Sequence, residues 1–187
     1  MRINAGIYKR HNIYMTNLET TRETSDKVRQ AIFNLIGQYF DGEVVVDLFA
    51  GSGAMGLEAI SRGASKCYFN DINRKALAVV DKNIKLLKIE KPCKLFNYSY
   101  EEALNKINKK EVDIIFLDPP YKMDNIKLMM NQILDSDILK DKAIVSFEMA
   151  KTTPTYECEG FKILKEKEYG IKKVIIYQKI NNKKARN

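Results

Sequence analysis

Read along the chain, the spacing of apolar positions changes period several times, and each change marks a different element. Residues 1–15 alternate loosely around Gly6, the pattern of an extended or hairpin segment. Thr24, Ser25 and Asp26 then offer helix-capping oxygens, and Val28, Ile32, Leu35, Ile36 and Tyr39 recur at three-to-four-residue intervals, so a helix is expected from about Asp26 to Phe40. At Glu43 the period changes. The run from Glu43 to Phe49 is short, apolar and β-branched, as in a strand buried on both faces of a parallel sheet.

The same alternation continues. Lys66 to Asn70 reads as a strand, Arg74 to Leu87 as a helix, Lys94 to Tyr98 as a strand and Glu101 to Ile107 as a helix. Val112 to Leu117 and Ala143 to Phe147 read as strands on either side of a helix from Ile126 to Leu134. Phe161 to Lys167 and Val174 to Lys179 are strand-like runs around Gly170 with no helix between them, which predicts an antiparallel hairpin. The expected class is therefore α/β: a doubly wound, mostly parallel sheet with a C-terminal antiparallel hairpin and an N-terminal β-hairpin arm. Residues 1–20 form the basic arm, 21–180 the single domain and 181–187 a basic tail.

Composition narrows the function classes. The chain has 187 residues, 45% of them hydrophobic, enough for one core without disulfides or metals. It has no run of 18 apolar residues and no apolar leader after Met1-Arg2-Ile3-Asn4, so no membrane association and a cytoplasmic location are expected. Cys67, Cys93 and Cys158 form no C-x-x-C pair and His11 is the only histidine, which leaves nothing for a zinc site and makes histidine-based nucleophilic catalysis a poor fit. No metal is expected, and a monomer is. The formal charge is +8 and is concentrated at the ends: residues 1–30 carry six bases and three acids, residues 161–187 nine bases and two acids. A near-neutral centre with basic flanks suits a polyanionic partner.

Two motifs carry chemistry. Asp47-Leu48-Phe49-Ala50-Gly51-Ser52-Gly53-Ala54-Met55-Gly56 holds G-x-G-x-x-G where a strand gives way to a helix. Glycines there let a nucleoside approach backbone amides, and Asp71, roughly twenty residues on, is placed to accept ribose hydroxyls. Asp47 puts a carboxylate just before the loop, unfavourable to a pyrophosphate and favourable to a cationic amino group. That favours S-adenosylmethionine over a nicotinamide dinucleotide. The second motif, Asp118-Pro119-Pro120-Tyr121, follows another strand at the carboxyl edge of the sheet. Two prolines stiffen the corner, so Asp118 and the proline carbonyls can accept N–H groups of an exocyclic amine while Tyr121 stacks on the base. Arg2, Lys9, Arg10, Arg22, Arg29, Lys172 and Lys173 are candidates to hold phosphates.

These motifs, with the stretch Thr21 to Asn34, resemble the S-adenosylmethionine-dependent amino-methyltransferases with a D-P-P-Y loop, most closely the RsmD-type guanine-N2 methyltransferases of small-subunit ribosomal RNA. The resemblance spans nearly the whole chain and implies a Rossmann-like methyltransferase fold, methyl transfer to a guanine N2 of 16S ribosomal RNA, and ribosomal RNA or the small subunit as partner. By resemblance, the stretch Thr21 to Asn34 closes over the methionine end of the cofactor and the N-terminal arm contacts RNA. Asp118, Pro119, Pro120 and Tyr121 become the catalytic candidates. The cofactor candidates are Arg22, Thr24, Asp47, Phe49, Ala50, Gly51, Ser52, Gly53, Asp71, Ile72, Ser99, Tyr100 and Asp118. Departures are Glu23 in place of a proline, Asn4-Ala5-Gly6 in place of a glycine pair, and Ser99 where Asn or Asp is frequent. From the residues alone, a DNA adenine-N6 or cytosine-N4 methyltransferase, a nicotinamide-dependent oxidoreductase and a non-catalytic RNA-binding module stay open.

Overall fold

The computed structural model describes residues 1–16, 25–120 and 125–180. Twelve elements follow one another: α1 (Asp26–Ile36), β1 (Val44–Asp47), α2 (Ala54–Ser61), β2 (Lys66–Asn70), α3 (Arg74–Leu87), β3 (Cys93–Phe96), α4 (Tyr100–Leu104), β4 (Val112–Leu117), α5 (Ile126–Asp135), β5 (Leu139–Ala150), β6 (Phe161–Tyr169) and β7 (Lys172–Lys179). The seven strands form one sheet in the order β3-β2-β1-β4-β5-β7-β6. Strands β1 to β5 pair in parallel, whereas β7 runs antiparallel to both β5 and β6. The strand order turns back at β1 and β4, so their carboxyl ends open a crevice where ligands of such sheets bind.

Side chains along the central strands alternate between two cores. Val45, Ile114 and Ile176 face one side, where α1, α2 and α3 supply Phe33, Leu57 and Val80. Val46, Ile115 and Ile175 face the other, covered by Leu104 from α4 and Met129, Met130 and Ile133 from α5. This period-two alternation, with both faces apolar, is why those strands read as continuous hydrophobic runs.

Several boundaries differ from expectation. Helix α1 stops at Ile36 rather than Phe40, because Gly37, whose amide still makes a helical bond to the Phe33 carbonyl, leaves the helical region at φ 127°. Strand β5 begins earlier and ends later than Ala143 to Phe147, since its length is set by pairing with β4 on one side and β7 on the other. Among its described residues the N-terminal arm is a short hairpin: Arg2 bridges Asn12, the Ile3 and Ile13 amides donate to the carbonyls of His11 and Met1 at 3.0 and 2.9 Å, and the body of the protein holds it as well. The buried Glu58 carboxylate on α2 accepts the amides of Asn4 and Ala5 at 2.8 and 3.0 Å. Arg62 and Arg29 flank that carboxylate at 2.7 and 3.5 Å. A buried carboxylate with two cationic neighbours and two amide donors is compensated, where a bare one would not be.

Candidate active site

The glycine loop turns on a left-handed residue. Gly53 caps α2 at φ 79°, and its neighbour in the motif, Gly56, packs so closely on β2 that a Cβ there would lie 2.3 Å from Phe69 Cε1 and 2.6 Å from Cys67 Sγ. Small residues are required for that helix to sit down on the strand. The buried Asp47, last residue of β1, accepts the Gly56 amide at 3.0 Å, which pins the far end of the loop. At the near end, Asp71 accepts the Gly51 amide at 3.0 Å and the Asn73 amide at 2.8 Å. Burial pushes the Asp71 carboxyl above the usual carboxylate value, an effect that the Asn73 and Gly51 amides partly oppose.

Two asparagines that the sequence reading passed over hold the neighbouring strand exits. Buried Asn70 donates to the Leu48 carbonyl at 3.1 Å and accepts the Tyr98 amide at 3.3 Å. Asn97 donates to the carbonyls of Asp71 and Ile72 at 2.8 and 3.0 Å, fixing the turn that carries the acid. An asparagine at the end of a strand, whose short amide can satisfy turn backbone, was the available signal.

These segments enclose a cavity of about 530 Å³. Of the residues expected to hold a cofactor, Asp47, Phe49, Ala50, Gly51, Asp71, Ile72, Ser99, Tyr100 and Asp118 line it, together with Pro119 and Pro120. The glycine loop and the proline corner therefore face one space. Ile72 is 74% exposed at its lip, an apolar shelf of a kind that suits a flat ring, and Phe49 and Tyr100 stand 6.0 Å apart, ring to ring, in the wall. Burial also lifts the Tyr100 phenol to about 12, so it stays a neutral donor, to Gln132 at 2.6 Å.

Ser52 and Gly53 support the loop from behind and do not line the cavity; the Ser52 side chain is fully buried. Ser99 does line it, but its hydroxyl also caps α4 by accepting the Glu102 amide at 3.2 Å, with Glu102 reaching back to the Ser99 amide. Arg22, Thr24 and Tyr121 lie outside the described residues.

Three of the basic candidates need correction. Arg29 is fully buried and pairs with Asp26 at 2.7 Å beneath the arm. Lys172 and Lys173 are 8% and 4% exposed, because β7 is inserted between β5 and β6 and not at the edge of the sheet. Lys173 donates to Thr155 at 2.6 Å, and Lys172 pairs with Glu148 on β5. Side chains so enclosed cannot reach a phosphate from where they stand. Arg2, Lys9 and Arg10 are exposed on the arm.

Glu148 and Lys172 were not foreseen at the site. Both line the main cavity and also a second one of about 310 Å³, formed between Asp118-Pro119-Pro120 and the segment from Thr152 to Tyr156. The two cavities meet at the proline corner. Among the described residues of both walls the acids are Asp47, Asp71, Glu101, Asp118 and Glu148, and Lys172 is the one lysine or arginine. Such a wall favours a cationic guest over a phosphorylated one.

No helix among the described residues is long and apolar enough to cross a membrane. Among the same residues, no cluster of three or more His, Cys, Asp or Glu could hold a metal ion.

Comparison with other proteins agrees with this geometry. Residues 1–178 match the family model described as conserved hypothetical protein 95. The Bacillus subtilis protein YlbH is 38% identical over 182 residues, covering 96% of this chain and 99% of that protein. The ribosomal RNA small subunit methyltransferase D of Haemophilus influenzae is 31% identical over 180 residues, covering 95% and 93% of the two chains. Among solved structures, the Escherichia coli protein YhhF superposes with a TM-score of 0.82 at 26% identity, over 96% of this chain and 98% of that one. A conserved hypothetical protein of Streptococcus pyogenes does so at 0.76 and 39% identity, over 81% and 94%.

Proposed function

The chain belongs to the conserved hypothetical protein 95 family, that of the ribosomal RNA small subunit methyltransferases D, and from that premise we propose that it transfers a methyl group from S-adenosylmethionine to the exocyclic N2 of a guanine in 16S ribosomal RNA. The observation that carries this reading is that the glycine loop with Asp71 and the corner Asp118-Pro119-Pro120 line one cavity of about 530 Å³. That volume lies within the roughly 300–1,000 Å³ of small-molecule sites.

The residues present fit the cofactor. Asp71 is set to accept ribose hydroxyls beyond the two amides it already receives. Ile72 and Phe49 offer apolar surface to an adenine, and the acidic wall around Asp47 suits an α-ammonium and a sulfonium. A pyrophosphate would meet those same carboxylates, which weighs against a nicotinamide dinucleotide. Bound there, S-adenosylmethionine supplies a methyl carbon activated by its sulfonium, the sulfur leaving as a neutral thioether.

The protein's part is positioning and electrostatics. A guanine amino lone pair is delocalised into the ring, so Asp118 and the Pro119 carbonyl, by accepting both N–H groups, localise it for attack. As the N–C bond forms, the nitrogen becomes acidic and its surplus proton passes to Asp118 or to water. To reach the corner the base must leave its stack, and the second cavity, walled by Phe147, Pro154 and Tyr156, is the place for it. Tyr121, which follows Pro120 in the motif, is the residue to stack on the base. Arg2, Lys9 and Arg10 on the arm, with Arg22, hold phosphates of the flanking RNA. The substrate partner is ribosomal RNA or the small subunit, and the protein acts as a cytoplasmic monomer.

The test is methyl incorporation from labelled S-adenosylmethionine into small subunits, free 16S RNA and duplex DNA, with cells deleted for the protein as the source of unmodified RNA. N2-methylguanosine in 16S RNA supports the assignment. Incorporation into DNA alone, or none at all, overturns it.

A further inference from the structure

The wall that the two cavities share contains a charge arrangement the proposed reaction does not by itself require. Lys172 enters it from β7, Glu148 from β5 and Asp118 from the end of β4. The Lys172 ammonium pairs with Glu148 and stands 3.7 Å from Asp118 Oδ2. The side chains of Glu148 and Lys172 are 3% and 10% exposed, and that of Asp118 is 31% exposed. A buried lysine and glutamate are costly to desolvate and seldom repay that in stability. Here they stand in the wall behind the reacting corner, with the lysine in contact with both carboxylates.

We infer that Lys172 is a positioning residue for Asp118: its ammonium, shared between Glu148 and Asp118, keeps the Asp118 carboxylate ionised and aimed at the acceptor amine. The role rests on the methyl-transfer reading above and deepens it. Without the ammonium, Asp118 and Glu148 lose the cation that stands against both of them in a half-enclosed wall. Like charges so placed resist joint ionisation, and one takes up a proton. A protonated Asp118 presents an O–H where the amine needs an acceptor. Among the described residues, the other ionisable groups facing this space are Asp47 at the end of β1, Asp71 beyond β2, and Glu101 and Tyr100 on α4, with Tyr98 before them and Tyr156 across the second cavity. The carboxylates among them share the sign of Asp118 and reinforce the need for the lysine. Lys173, next in sequence, pairs with Glu166 and Thr155 instead.

The experiment compares wild type with Lys172→Met, Lys172→Arg and the double variant Lys172→Met/Glu148→Gln. For each, kcat and KM for small-subunit RNA are measured from pH 5.5 to 9, and thermal midpoints of the cofactor-free proteins over the same range. In Lys172→Met the acid limb of the kcat profile moves up by about one to three pH units, so the loss is greatest at the acid end, reaching up to roughly tenfold at pH 6 for the largest shift from an ordinary aspartate value, and shrinks toward pH 9. Lys172→Arg and the double variant return the limb most of the way, the double variant because it removes the competing carboxylate. In parallel, Lys172→Met loses thermal stability relative to wild type as pH rises, since its folded state binds more protons than its unfolded state, and the double variant recovers it.

A Lys172→Met loss that is the same factor at every pH, or one that Glu148→Gln does not relieve, overturns the role. If wild type transfers no methyl group to RNA, the underlying reading fails and the role falls with it. If wild type transfers normally and Lys172→Met keeps its pH profile, only the role of Lys172 fails.

Discussion

Asn83 clasps both backbone groups of Tyr14: its Oδ1 accepts the Tyr14 amide at 2.7 Å and its Nδ2 donates to the Tyr14 carbonyl at 2.9 Å. The same Nδ2 reaches the Ser52 carbonyl in the glycine loop at 3.0 Å. One fully buried amide on α3 thus ties the basic arm to the cofactor loop. Replacing it with alanine leaves an amide and carbonyls without their partner. Asn83→Ala is expected to lower unfolding stability by about 2–3 kcal/mol, read from urea midpoints, and to weaken S-adenosylmethionine and RNA binding together. A loss confined to one of the two would break the link between arm and loop.

The arm has a second fixed point. Gly6 sits at φ 82°, and a Cβ there would lie 1.7 Å from the Ser61 carbonyl oxygen, a backbone atom that cannot swing aside. Gly6→Ala must push Ile7, Lys9 and Arg10 off the body of the protein. Its expected effect is a loss of RNA affinity of roughly tenfold or more, with S-adenosylmethionine affinity within about twofold of wild type because Asp71 and Asp47 are untouched. Titration calorimetry for the cofactor and filter binding for the RNA separate the two.

Asp71 predicts a pH dependence. Burial raises its pKa above the ordinary carboxylate value, and only the ionised form accepts ribose hydroxyls with both oxygens free of a proton. Cofactor affinity is therefore expected to fall as pH drops through that raised value, earlier than for an ordinary aspartate. For the free protein the sign is opposite: with the folded pKa above the unfolded one, Asp71 costs stability progressively as pH rises through the same window. Asp71→Asn should weaken the cofactor about tenfold or more and remove the acid-side decline. An unchanged pH dependence of affinity in Asp71→Asn contradicts the ribose assignment.

The elements most legible in the sequence were those bounded by local chemistry. The spans Lys66–Asn70, Arg74–Leu87 and Val112–Leu117 are found where the sequence places them, because an asparagine caps α3 and the aromatic run of β2 and the β-branched run of β4 end at polar residues or loops. The glycine loop and the Asp118 corner were legible because their residue types are set by backbone geometry. What could not be read was pairing between distant segments. Lys172 and Lys173 look like one surface patch in a basic C-terminal stretch, and only the insertion of β7 between β5 and β6 buries them and brings Lys172 to Glu148 and Asp118. Arg29 is hidden from the sequence in the same way: on its own helix it is a polar position, and the arm laid across it and Glu58 from α2 help to enclose it. Charge composition says how many cations there are, while topology decides which of them meet solvent.

The central claim is that Asp118, at the corner where the two cavities join, accepts the amine that receives the methyl group. The measurement that meets it most directly is mass mapping of 16S RNA after incubation with S-adenosylmethionine and either wild type or Asp118→Ala. The account predicts N2-methylguanosine at one site with wild type and, with Asp118→Ala, a loss of at least about a hundredfold in rate that exceeds any loss of cofactor affinity measured by calorimetry. Methylation by Asp118→Ala at the wild-type rate, or modification at an atom other than a guanine N2, would contradict it.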